Sequence, residues 1–501
     1  MAEREITRHD IIKSLDFGHR IAEEEIKQLS KYFVKTDQWH QISSGAVDIV
    51  YGPKGSGKSA LYALLLDNEA EYFNQETILV SVENPRGTPI FRDLTTDPPA
   101  SENEFIYLWK LYLLSLIGGV IRDYANKTPQ GKIVSDALHD AGLVEDVGGI
   151  HGLFRRVVDY VRRLPQALEG TVKLDPITGA HTITGKITFE EPTGHETRDG
   201  KISVNSLLRL ANEALASLPV SVWLLVDRLD VAFTDSEELE ANALRALFKS
   251  YLDLMGQDQI KLKIFLRTDI WGRITEGKGF REASHITKST TIRWDRPSLA
   301  NLLIERATQS QTLLNYCGMN KEEALGARQE EFLGKLFPGQ VEVGPNKPET
   351  ALDWILGRTK DGKKENAPRE LIHLLIEARE EELRRLDLGA TTDQIDALFS
   401  RSSIKNAWRE VSNVRLTQTL YPEFPGLKPV IEKLDGEKAS QHVKSLAKLW
   451  DVSEEEALAI AEKLVGIGFF EKRGEKGDPE FWVPFLYRPA LNLVMGKAEA
   501  E

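Results

Sequence analysis

The chain reads as an α/β protein: a parallel sheet with helices on both faces, then a helical segment, then a small C-terminal domain of helices and a hairpin. Three observations lead there. Short apolar runs recur at Ala46–Tyr51, Thr77–Val82, Val222–Val226, Lys261–Leu266 and roughly Thr290–Trp294. Longer stretches between them carry apolar residues at helical spacing. The strand centres are apolar throughout rather than alternating, which is the pattern of strands buried on both faces of a parallel sheet.

Composition sets the outer limits. A chain of 501 residues exceeds one ordinary core and suggests two to four domains. Hydrophobic residues at 41% and charged residues at 28% fit a globular chain and argue against long disorder. A net charge of −13 gives no general electrostatic footprint for nucleic acid, so any such contact needs a local basic patch. The single cysteine, Cys317, excludes an intramolecular disulfide and a thiolate-rich metal site and fits a reducing compartment. The first residues lack the apolar run of a secretory signal, and Tyr107–Ile121 reads as a buried helix too short to cross a bilayer. A cytoplasmic location, with no membrane partner, is the expectation.

Taken in order, residues 5–43 are expected to be helical, with Ile21, Ile26, Leu29 and Phe33 spaced along a charged segment. The Ala46–Tyr51 strand leads into a helix beginning at Ser59–Leu66. The second strand, Thr77–Val82, precedes a long helix over Glu104–Tyr124. Thr182–Phe189 then alternates with period two behind a turn at Asp175–Gly179, which predicts a hairpin inserted at about 165–203. Leu207, Leu210, Ala214 and Leu218 return to helical spacing before the strands at 222–226, 261–266 and 290–294. The expected organisation is N-terminal helices over 1–43, a core over 44–300, a helical lid over 301–390 and a further domain over 400–501.

The sharpest local signal is Gly52-Pro53-Lys54-Gly55-Ser56-Gly57-Lys58-Ser59, followed by Ala60. It satisfies the G-x-x-x-x-G-K-[ST] pattern of a phosphate-binding loop, and it has a strand before it and a helix after it. Glycines let successive backbone N–H groups converge on one phosphate, and the helix behind offers its positive end to the same anion. Lys58 can reach the outer phosphates, and Ser59 can place a hydroxyl on Mg²⁺. Together they predict ATP with magnesium as ligand. Trp223-Leu-Leu-Val-Asp227 has the form of a Walker B strand, whose Asp227 would join Ser59 in the metal shell. A core strand with an acid at its end is the alternative reading of that segment.

Turnover hangs on the residue after Asp227. Many ATPases place there a glutamate that polarises the attacking water; this chain has Arg228, and the next acid is Asp230. Asp230 could serve the water or merely cap the next segment, and slow hydrolysis is the expectation. Downstream, Lys263–Asp269 is an apolar strand ending in Arg267, Thr268 and Asp269, which could sense the terminal phosphate or simply mark the strand's arrival at solvent. Asn366-Ala-Pro-Arg369 opens a helix, with Pro368 suited to its first turn.

The phosphate loop, Asp227–Asp230, Arg267–Asp269 and Ile292–Leu299 occur in an order that resembles the STAND and origin-recognition side of the AAA+ ATPases. More closely it resembles a group of prokaryotic P-loop ATPases, some encoded in antiphage defence islands. The resemblance covers roughly residues 15–385. It implies an ASCE/AAA+-like P-loop NTPase fold, with Thr268 or Arg267 matching sensor 1 and Arg369 matching sensor 2. Catalytic roles would then fall to Lys58, Asp227, Asp230, Thr268 and Arg267, with nucleotide contacts from Gly52 to Ala60 and from Arg369. Arg273 and Arg281 are arginine-finger candidates. The missing glutamate after Asp227 is the departure from the pattern.

At the C-terminus, Gln441–Asp451 and Ser453–Val465 read as helices, and Ile467–Lys472 with Glu480–Val483 as a hairpin around Gly474–Pro479. That order is winged-helix-like. The second helix carries Glu454, Glu455, Glu456 and Glu462 against Lys463, and the wing offers only Lys472, Arg473 and Lys476 among further acids. This charge disfavours insertion into DNA and favours packing on the core or on a protein partner. The histidines form no pair at metal spacing. The reading is a STAND-like ATPase switch that controls homo-oligomer assembly or a protein effector. The alternatives are a nucleic-acid motor or loader and a nucleotide-bound scaffold that barely turns over.

Overall fold

The structure is a computed structural model, and it describes residues 6–20, 26–82, 102–144, 149–168, 187–198, 200–229, 237–276, 280–344, 349–389, 397–475 and 478–498. By its contacts the chain falls into two compact units. One comprises 37–52 and 58–292, and the other 1–36, 53–57 and 293–501.

The first unit is built on a five-stranded sheet. Its strands are β1 (Ile49–Gly52), β2 (Thr77–Ser81), β5 (Ser221–Val226), β6 (Ile260–Arg267) and β7 (Ser289–Thr291). The order is β2-β5-β6-β1-β7 and every pairing is parallel. The apolar strand centres have the expected consequence: β1 is buried along its whole length, and in β5 only Ser221 is not. The strand β6 lies between β1 and β5. Because the strands are parallel, all their C-terminal ends lie along one edge of the sheet.

The helix Glu102–Val120 fills this unit's core, with Trp109 and Tyr112 fully buried. The Trp109 indole donates to the Ala243 carbonyl at 2.8 Å, and the Tyr112 hydroxyl donates to that of Val82 at 2.7 Å. A π-helical turn, Ile121–Ala125, extends the helix to 24 residues, which is long and apolar enough to cross a membrane by length and composition. The shorter span read from sequence is thereby corrected. Most of the helix is nonetheless buried against protein.

The predicted hairpin turn, Asp175–Gly179, lies outside the described residues. Beyond it comes a two-residue strand β3 (Ile187–Thr188), paired in parallel with β4 (Ile202–Ser203). Phe189 stacks on Tyr107 with centroids 4.1 Å apart, which ties this segment to the core helix.

In the second unit, the N-terminal helix Arg8–Ser14 packs with Pro368–Asp387. Ile11, Ile12, Leu15 and Phe17 are buried in one apolar cluster with Leu299, Trp354 and Leu374. Arg8 reaches Glu382 at 2.9 Å and donates to the Leu398 carbonyl. The expected boundary at residue 43 therefore does not appear in the contacts. Residues 1–36 are held by 293–501, whereas the helix Asp37–Ser43 belongs with the sheet.

Residues 438–497 form a four-stranded sheet in the order β11-β8-β10-β9, from β8 (Lys438–His442), β9 (Glu471–Glu475), β10 (Asp478–Trp482) and β11 (Val494–Lys497). Helices Val443–Trp450 and Glu454–Gly466 stand between β8 and β9. The first begins later than expected because Gln441 and His442 pair in β8, and His442 then caps the helix through Ser445. Gly468, at φ +78°, and the buried Phe469 and Phe470 postpone the hairpin to Glu471.

One buried ion pair braces the first unit. The Lys263 ammonium, fully buried in β6, donates to Asp48 at 2.8 Å and to the Val47 carbonyl at 2.7 Å, and sits 4.3 Å from the Trp223 ring centre. Tyr251 donates to the other Asp48 oxygen at 3.2 Å. Burial lowers the Lys263 pKa against the pull of Asp48. Asp48→Ala leaves that ammonium without its counter-charge and is expected to cost about 3–5 kcal/mol in urea unfolding. Replacing the pair together, Asp48→Val with Lys263→Met, should recover most of the loss. A single variant as stable as wild type would show that the pair braces nothing.

Candidate functional site

The glycine-rich loop Gly52–Ser59 leaves β1 at Gly52, where the strand register pairs Gly52 with Arg267 of β6. Lys58 starts the helix Lys58–Asp67, and its ammonium donates to the Gly52 carbonyl at 2.9 Å, across the mouth of the loop. Lys58 and Ser59 are half-buried, and Ala60 is packed inside. The apolar Leu61, Leu64 and Leu65 anchor the helix, so its first turn is held while its side chains at 58 and 59 stay accessible.

Residues 53–57, the arc of the loop, belong by contacts to the second unit. Gly55 has φ +79° and Gly57 φ +101°, both in the region that favours glycine. A Cβ on Gly55 would stand 3.2 Å from the Arg369 Cβ and 3.4 Å from that of Ala367. A Cβ on Gly57 would meet nothing within 4 Å, so that side of the arc is open. The Trp294 indole donates to the Ser56 carbonyl at 2.8 Å, and Lys54 pairs with Glu423 at 2.9 Å. The Ser56 hydroxyl is buried and has no hydrogen-bond partner among the described residues. The curled glycine backbone and the open space beside Gly57 leave room for a triphosphate.

Asp227 comes directly after β5 and is 5% exposed, an acid held inside protein at the sheet edge where β1 and β6 also end. The next residue, Arg228, has φ +58°, a left-handed backbone that costs a non-glycine residue on the order of 1 kcal/mol or more. Asp230 lies outside the described residues. On β6, Arg267 makes a two-pronged pair with Asp269, at 3.0 and 2.7 Å. Of the two sensor-1 candidates, Arg267 is thus engaged by its neighbour, and half-buried Thr268 begins the next helix, Thr268–Glu276. Among the finger candidates, Arg273 pairs with Glu240 at 2.8 Å and Arg281 is exposed.

The helix Pro368–Asp387 has proline in its first turn as expected. Arg369, half-buried, makes no hydrogen bond or ion pair with any described residue, and its Nε is buried without a partner. A guanidinium held unneutralised against a phosphate loop is suited to meeting phosphate charge. In the Ile292–Leu299 segment, Asp295 caps the helix Arg296–Ala307. Its bonds from Ser298 hold its carboxyl below the usual range.

Two contributors escaped the sequence reading. Trp294 lies inside a segment singled out there, yet nothing in its spacing marks an indole that grips the loop. Glu423 lies 369 positions from Lys54 along the chain, beyond the reach of local pattern.

Among solved structures the chain is similar to the ORC2 protein of Aeropyrum pernix, described as ADPNP-ADP complexes. Identity is 12% and the TM-score 0.37, over 93% of this chain and 92% of that one. No family model matches the sequence, and no curated protein matches it.

Lys58→Ala should weaken nucleotide binding by roughly a hundredfold, because it removes charge-assisted bonds to phosphate. The melting temperature should not change, since the lysine is only half-buried and its partner is a loop carbonyl. Calorimetric titration with Mg-ATP and a thermal melt check both halves. Unchanged affinity would remove Lys58 from the site.

Proposed function

We propose that the chain is a nucleotide-controlled switch: a cytoplasmic, STAND-like ATPase that binds Mg-ATP, hydrolyses it slowly, and uses the bound state to set homo-oligomer assembly or engagement of a protein effector. In this reading Gly52–Ala60 hold the triphosphate, Lys58 supplies its positive charge, and Ser59 with Asp227 hold the magnesium. Magnesium would withdraw charge from the phosphates. Arg369 would act as the sensor-2 arginine, and Thr268 or Arg267 as sensor 1.

The observation that carries this reading is the arrangement of one sheet edge. The glycine loop leaves β1, Asp227 closes β5, and β6 ends between them with Arg267 in register with Gly52. Ligands of open parallel sheets bind beyond the carboxyl ends of the strands. Slow turnover is expected from the left-handed Arg228, which stands where a water-polarising glutamate would be placed.

The nucleic-acid motor is the rival, and the charges of residues 438–497 weigh against it. Ser453 and Glu456 form a capping box, so one acid of the second helix holds its own N-terminus. On the wing, Lys472 pairs with Glu462, and Arg473 with Glu471 at 2.8 Å. These two cations are already paired, leaving little among the described residues for a phosphate backbone, and Lys476 lies outside the described residues.

Asp227→Asn should reduce magnesium-dependent phosphate release on the order of a hundredfold or more while the fold persists, since a carboxylate on the metal acts through charge rather than packing. Wild-type particles should gain mass on adding Mg-ATP, read by sedimentation, and the variant should not reverse that gain by hydrolysis. Wild-type release rates in Asp227→Asn would remove this residue from the metal shell. Short duplex DNA at physiological salt should leave the rate within about twofold, as the paired wing charges imply. Strong stimulation by DNA would promote the motor.

A further inference from the structure

Within the second unit, a cavity of about 200 Å³ opens beside the start of the Pro368–Asp387 helix. A liquid water occupies about 30 Å³, so the space exceeds a single solvent site severalfold. No residue of the phosphate loop lines it. Its walls carry Arg20, Arg369, Arg415, Glu370, His373 and Gln418. We propose that this cavity is a second oxyanion site, for a phosphate- or pyrophosphate-sized group, separate from the phosphate loop and coupled to it through Arg369.

The charges on the walls do not balance. Glu370 is committed to Arg415 at 2.9 Å, and His373 has its own partner in Glu377 at 3.2 Å. Among the described residues, Arg20 donates only to the neutral amide of Gln418, at 3.2 Å, and Arg369 meets no hydrogen-bonding or ionic partner. Two guanidinium charges therefore face the cavity without counter-charge from the described residues. The Nε groups of Arg369 and Arg415 are buried with no hydrogen bond, as is the second carboxylate oxygen of Glu370, Oε2, so the anion-binding charge falls to Arg20 and Arg369. Guanidinium forks match phosphate and carboxylate alike, but two unneutralised charges favour a dianion over a single carboxylate.

The wall itself departs from ordinary helix. Arg401–Val414 continues into a π-helical stretch, Arg415–Leu420, which turns Arg415, Gln418 and Thr419 to the cavity. Such local π-turns recur at functional sites. Arg369 also lies against Gly55, where a Cβ would stand 3.2 Å from its own. An anion that draws the Arg369 guanidinium into the cavity makes it unavailable to a phosphate on the loop, and by linkage the converse holds. This coupling rests on the nucleotide reading of Gly52–Ser59; the anion site does not.

The test is calorimetric titration of the full chain with pyrophosphate, using the Lys58→Ala variant to disable the loop. One pyrophosphate per chain should bind, and adding Arg20→Gln should weaken it about tenfold or more. In wild type saturated with Mg-ATP, pyrophosphate should still bind, but more weakly. No saturable binding to Lys58→Ala, or binding indifferent to Arg20→Gln, overturns the site. Complete displacement by Mg-ATP, with Arg20→Gln weakening Mg-ATP itself by the same factor, assigns these arginines to the loop nucleotide and overturns the separation. A wild-type chain that takes no Mg-ATP overturns the coupling and the nucleotide reading, and leaves the pyrophosphate result standing on its own.

Discussion

The curl of residues 52–59 is the constraint on which the functional geometry depends. Two glycines in left-handed backbone turn the chain back on itself, and the Lys58 ammonium spans the opening to the Gly52 carbonyl. Gly55 is the tight point. A side chain there would carry a backbone penalty on the order of 1–2 kcal/mol and would press on Arg369 and Ala367. That absence of a side chain lets the helix Pro368–Asp387 begin against the loop, and it brings an arginine with no described partner within reach of whatever the loop holds. The Trp294 indole and the Lys54–Glu423 pair fix the arc from other directions. The loop is thus gripped at residues 54, 55 and 56, while Gly57 and Ser59 face open space or stand half-accessible.

Binding and turnover are differently supported by this geometry. The groups that would hold a triphosphate sit on rigid elements: β1, the buried helix behind it, and β5 ending in Asp227. The groups that would drive hydrolysis are less committed to it. Arg228 occupies strained backbone where an acid would help, and Arg267 spends its fork on Asp269. Strain at such a position persists only when its surroundings over-determine it, which is the behaviour expected of a switch region. On the proposed reading, this arrangement favours holding a nucleotide over consuming it rapidly.

The sheet was legible because burial on both faces leaves a signature that needs no partner to be read. Each apolar run from 46 to 294 became a strand within a few residues of its expected bounds. Capping was legible for the same local reason: Ser453 with Glu456, and Pro368 in a first turn, depend on neighbours three or four positions away. The features that could not be read depend on distant pairing. Gln441 and His442 lie at helical spacing but pair with β10, and sheet hydrogen bonds decide their state. The helix Arg8–Ser14 is amphipathic in any context, and only its burial with Leu299 and Leu374 shows which unit holds it. At the site, Gly52–Ser59 and Asp227 were visible as motifs, whereas Trp294, Glu423 and the left-handed Arg228 take their places only in the folded chain.

On the proposed reading, the Gly52–Ser59 loop and the start of the Pro368–Asp387 helix respond together to nucleotide, through the Gly55–Arg369 approach. Amide hydrogen exchange with and without Mg-ATP measures this directly, because it reports local opening segment by segment. Slower exchange is expected in both 52–60 and 366–373 on adding Mg-ATP, with both changes absent in Lys58→Ala. Protection confined to 52–60, or none in either segment, would contradict the account.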